Sequence, residues 1–104
     1  MHVPRWFALV LLALPACGGG SAVPRPVDAH VTIARKDYPE ADRAMLERGR
    51  SLFVERCSGC HSLPPPASLH RETWPAVVST MAARAKIDTD GERAVSAYLV
   101  GTAL

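Results

Sequence analysis

A chain of 104 residues has room for one small domain, and its formal charge of +2 comes without a basic run or a lysine-rich stripe, which argues against nucleic acid as a partner. Hydrophobic residues make up 48% of the chain, a figure raised by the first fifteen residues. The sequence carries neither G-x-G-x-x-G nor a Walker motif, and no catalytic triad or paired carboxylates stand out, so no catalytic residues are expected.

Met1 to Arg5 form a short n-region, and Trp6 to Leu14 an apolar stretch too short to span a bilayer as a helix but suited to an export signal. The segment ends Leu14-Pro15-Ala16-Cys17, which resembles the lipobox of bacterial lipoproteins, with Pro15 departing from the commonest pattern. That resemblance implies a diacylglyceryl group on Cys17, cleavage before it, and an acylated N-terminus held at a membrane. Gly18, rather than Asp, follows Cys17, which by the same resemblance favours the outer over the inner membrane. Ordinary cleavage after Ala16 is the alternative and would release a soluble periplasmic protein. Residues 1–16 therefore read as a lipoprotein-type signal peptide, 17–37 as a flexible lipid-anchored linker, and 38–104 as the folded domain.

The linker opens Gly18-Gly19-Gly20-Ser21 and stiffens at Pro24 and Pro26. From Gly18 to Asp37 there are 20 residues, which as a coil span roughly 25 Å. Within it, Val31-Thr32-Ile33 reads as a short extended piece and His30 as a loop residue.

A helix is expected from Ala41 to Cys57. Leu46, Gly49, Phe53 and Cys57 recur at i, i+3, i+7 and i+11, and Glu40 and Asp42 sit where a helix N-terminus favours acids. Gly49 inside a helix costs about 1 kcal/mol against Ala, which points to close approach by another helix.

The helix leads into Cys57-Ser58-Gly59-Cys60-His61, a C-x-x-C-H attachment signature for a c-type haem. Two thiols one helical turn apart can add across the two vinyl groups of a porphyrin, and the adjacent imidazole then lies where it can bind iron. A thioredoxin-like C-x-x-C wants a preceding strand, a zinc site wants a second ligand pair, and a Cys57–Cys60 disulfide would close a small strained loop. The count of three cysteines divides into one for lipid and two for haem.

Gly49-Arg50-Ser51-Leu52-Phe53 followed by that motif resembles the small class I-type cytochromes c. The resemblance covers roughly Ala41 to Val100 and implies an all-α, cytochrome c-like fold of about three helices around one covalently bound haem. It also implies that Gly49 packs against an aromatic of the last helix, a place Tyr98 can take, and that a carbonyl of the Ser62-Leu63-Pro64-Pro65-Pro66 loop orients His61. The three prolines themselves predict an extended path.

Thr73 is the expected N-cap of a helix over Trp74 to Ala85, with Pro75 tolerated in its first turn. Trp74, Val77 or Val78, Met81 and Ala85 share one face. A methionine on such a face is ordinarily core. Met81 is, however, the only methionine after the motif, and Trp74, Val78 and Met81 resemble the W-x-x-x-V-x-x-M stretch of a cytochrome c subgroup whose methionine binds iron. That resemblance implies His61 and Met81 as the two axial ligands. His70 and an open sixth position are the other readings, and Met45 reads as core. Thr89 and Glu92 form an expected capping box for a last helix running to about Leu99 and ended by Gly101.

The expected function is electron transfer by one haem c on the periplasmic side of a membrane, by a monomer that meets unidentified redox partner proteins. The alternative is a haem enzyme or a gas or peroxide sensor with an open sixth site. A 67-residue domain from Tyr38 to Leu104 has a marginal core of its own, so the haem-free domain is expected to fold poorly.

Overall fold

The computed structural model describes residues 23–59 and 62–103, so the export signal, Cys17, Cys60 and His61 lie outside the described residues. The described chain is all-helical. Four α-helices run in order, α1 (Asp28–Ala34), α2 (Arg43–Cys57), α3 (Trp74–Ala85) and α4 (Thr89–Thr102), with a 3-10 turn at Pro66–Ser68 before α3.

α4 is the element against which the others pack, touching α1, α2, α3 and the 3-10 turn. Its residues from Ala94 to Gly101 are all buried, the pattern of a helix enclosed on every side. α2 crosses it at Gly49. A Cβ there would lie 2.0 Å from the Ala94 carbonyl oxygen and 2.9 Å from the Tyr98 Cβ, so only hydrogen fits between the two backbones. Leu46 and Phe53, one turn to either side of Gly49, fill the seam with Val95, Tyr98 and Leu99. The expected glycine-to-last-helix contact is therefore present, with Tyr98 as the aromatic.

Several local expectations change. The segment 28–34, expected inside a flexible linker with Val31-Thr32-Ile33 extended, is a helix whose Val31 and Ala34 are buried. It packs on α4 where Gly101 admits the His30 carbonyl, a Cβ at Gly101 coming within 2.7 Å of that oxygen. Gly101 is thus a helix contact and not a helix stop, and α4 continues to Thr102. Before α1, the Tyr98 hydroxyl donates to the Pro24 carbonyl at 2.6 Å and Arg50 donates to the Val23 carbonyl, so the fold incorporates chain well before Tyr38. Among the described residues, the three helices expected after Tyr38 are present as α2, α3 and α4, and α1 is added before them.

The caps also differ by a residue. Asp88, not Thr89, caps α4 by accepting the Gly91 N–H at 2.7 Å, and Asp42 caps α2 through the Met45 N–H at 2.7 Å. Thr73 occupies the cap position of α3 but has helical backbone and makes no side-chain cap bond. α3 ends in a Schellman turn, with Ile87 N–H bonded to the Ala82 carbonyl and Lys86 N–H to that of Ala83. The residue in the left-handed position is Lys86, φ 54°. Pro66 begins the 3-10 turn instead of continuing an extended path, its fixed φ suiting a first helical position.

Candidate functional site

The C-terminal turn of α2, the loop after it, α3 and α4 enclose an apolar cleft with a cavity of about 210 Å³. α2 contributes Phe53, Arg56 and Cys57, and the loop contributes Pro64. α3 contributes Val77, Val78, Met81, Arg84 and Ala85, Ile87 follows from the turn, and α4 supplies Val95 and Leu99. Among the described residues, Arg56 and Arg84 are the charged side chains of that lining.

The site follows from helix periodicity. Phe53 and Cys57 are four apart on α2 and so share a face, and Val77, Val78, Met81 and Ala85 make one stripe on α3. Behind the cleft, Phe53 stands edge-on to Trp74, ring centroids 6.4 Å apart at 78°, and tilted against Tyr98 at 6.2 Å and 46°. The Trp74 indole N–H donates 2.8 Å to the Pro66 carbonyl in a buried bond. That bond fixes the loop carrying Pro64 to the start of α3. It also uses one of the loop's carbonyls.

Of the residues expected to hold a haem, the cleft brings together Cys57 and Met81, both half-buried. Cys60 and His61, the other two, lie outside the described residues, as does Cys17. His70 is exposed and does not line the cleft, and Met45 packs against the core away from it. Among the described residues no three His, Cys, Asp or Glu side chains cluster as a metal site.

The described lining is largely apolar and includes the thiol of Cys57 and the thioether of Met81 among aliphatic and aromatic side chains, the kind of surface that suits an apolar ligand. Arg56, Ile87 and Leu99 were missed as lining residues. Arg56 adjoins Cys57 in sequence and could have been named, whereas Ile87 and Leu99 reach the cleft only through the turn after α3 and the packing of α4. Comparison with protein-family models, with curated proteins and with solved structures finds no match to this chain.

Proposed function

We propose that the chain is an electron-transfer c-type cytochrome, exported and held at the periplasmic face of a membrane through a lipid on Cys17. The observation that carries the reading is the apolar cleft at the end of α2, where the first cysteine of C-x-x-C-H and Met81 of α3 line one cavity. Cys57 and Cys60 would hold one haem c through thioether bonds, and His61 and Met81 would supply the nitrogen and sulfur ligands to its iron. A haem held in this way supplies a one-electron ferrous–ferric couple.

The chain's own residues set the conditions for that couple. Phe53, Val78, Val95 and Leu99 present apolar surface to the ligand and exclude water from it. Met81 would supply a thioether to the iron, which would favour carrying electrons over binding small molecules at the metal. Arg56 and Arg84 place positive charge at the cleft, with no acid among its described lining residues, which would favour the reduced state.

The visible spectrum of the purified holoprotein tests this, with Met81→Ala beside it. The parent is expected to be low-spin, with the weak far-red sulfur-to-iron band in the ferric form, and slow to bind carbon monoxide when ferrous. Met81→Ala should lose the far-red band and bind carbon monoxide readily. A parent that is high-spin, or that binds carbon monoxide as fast as the variant, overturns the electron-transfer reading in favour of an open-site enzyme or sensor.

A further inference from the structure

Between the segment that leads into α1 and the first half of α2, a second, polar recess is lined by Arg25, Pro26, Arg43, Glu47, Arg50 and Ser51. Three arginines thus stand against one acid, with Asp28 drawing on Arg43 through an exposed 2.7 Å ion pair. The same flank holds the incoming chain. Arg50 donates from Nε and Nη2 to the Val23 carbonyl at 3.3 and 3.2 Å, and Tyr98 fixes the next carbonyl, that of Pro24.

This pinning shortens the tether. Only six Cα steps separate Cys17 from Val23, a reach of at most about 21 Å. The 20-residue linker expected from sequence would have held the domain more loosely; six steps keep the point of entry, beside Arg25 and Arg50, close to Cys17. With Cys17 at a membrane, that flank is the part of the fold the tether holds nearest to it.

We propose that this flank is a membrane-docking surface that presents Arg25, Arg43 and Arg50 to anionic phospholipid headgroups. The proposal rests on the reading of Cys17 as the lipid-bearing residue. Docking orients the domain and does not supply its anchorage, since acyl chains do that already. The cleft lies farther along α2, where Phe53, Arg56 and Cys57 line it, beyond residues 43–51 that border the recess. A redox partner could then approach the cleft while the domain stays docked.

The test uses the full-length lipidated holoprotein in vesicles of phosphatidylcholine alone or with one part in three phosphatidylglycerol. Ser51→Cys reports the recess and Thr80→Cys the exposed face of α3; each is labelled with a polyethylene-glycol maleimide. A basic side chain near an anionic surface is worth about 1 kcal/mol, or about fivefold in population. Since Glu47 and Asp28 offset two of the three arginines, labelling at position 51 should slow about fivefold with phosphatidylglycerol, and labelling at 80 should not change. In the Ser51→Cys protein, adding Arg25→Glu and Arg43→Glu, checked for native helicity, should abolish the slowing, as should raised salt without those two changes. Equal rates at position 51 in both vesicles, or equal slowing at 80, overturns the docking surface. Intact mass read separately decides the anchor: a mature chain without lipid on Cys17 overturns the lipid reading and the proposal together, whereas lipid present with position 51 unprotected overturns the docking surface alone.

Discussion

Substituting Gly49 by alanine should be the most damaging single-methyl change in the protein. The added Cβ would sit 2.0 Å from the Ala94 carbonyl oxygen, a backbone atom of a helix buried on all sides. Ordinary contact needs about 3.5 Å, so α2 and α4 must separate by about 1.5 Å along the seam that Leu46, Phe53, Val95 and Tyr98 fill. A gap even half that wide forfeits a quarter to a half of the dispersion energy at the contacts it opens. Overpacking of this kind costs roughly 1–3 kcal/mol or more, and the better helix propensity of alanine returns about 1. Because the clash is with backbone and cannot be relieved by a rotamer change, the upper end applies and a net loss of about 2 kcal/mol is expected. For a domain of this size that is a fall in Tm of roughly 8–16 °C. Thermal melts of the holoprotein followed by far-UV circular dichroism measure it, with Gly91→Ala as control. A Cβ at Gly91 would have side-chain atoms as its nearest neighbours, Asp88 Oδ1 at 3.1 Å, Leu52 Cδ1 at 3.2 Å and Ile87 Cβ at 3.5 Å, so shifts of a few tenths of an ångström admit it. A Gly49→Ala protein melting within about 5 °C of the parent, or below which Gly91→Ala falls, would refute the crossing described here.

The other predictions concern the turn, the alkaline limit and the cofactor. Lys86→Gly relieves a left-handed backbone at a side-chain-bearing residue and should stabilise by roughly 0.5–1 kcal/mol, read as a rise of a few degrees in Tm. Burial pushes the Tyr98 phenol up to about 12, against the opposing pull of Arg50. Its folded value lies above the unfolded 10.0, so its contribution is whole below pH 10 and is lost as pH rises from there toward 12. Denaturant titrations across that window should show stability falling in the parent and a flatter profile in Tyr98→Phe. Replacing both Cys57 and Cys60 by Ala should leave the cleft without its ligand and abolish the cooperative thermal transition; retention of parental helicity and Tm would show that the helices hold together without a cofactor.

Where the sequence was readable, strong periodic signals and single-residue chemistry made it so. α3 runs over the expected Trp74–Ala85 because a proline in the first turn and an apolar stripe both mark it. Gly49 was legible because a helix tolerates an interior glycine poorly unless something must come close. α1 was not legible. Seven residues are too few for a clear period, and Val31-Thr32-Ile33 is β-branched throughout, which favours extended chain locally; burial of Val31 and Ala34 on α4 overrides that preference. Gly101 carries the signature of a helix end, and only the neighbouring helix reveals it as a point of close approach. Asp88 and Thr89 are both good caps, and sequence alone does not rank adjacent ones. At the site, Cys57 and Met81 could be named from motif and resemblance, but that they line one cavity depends on α4, which supplies the wall between.

The reliance of every other helix on α4 has a consequence for maturation. α4 comes last of the four, so α1, α2 and α3 lack their main support until residues 89–102 have been delivered. On the proposed reading of an exported chain that takes haem at Cys57 and Cys60, those cysteines would emerge on a chain not yet able to close. Attachment would then meet an open, pliable substrate, and the arrival of the final helix would shut the door behind the proposed pigment.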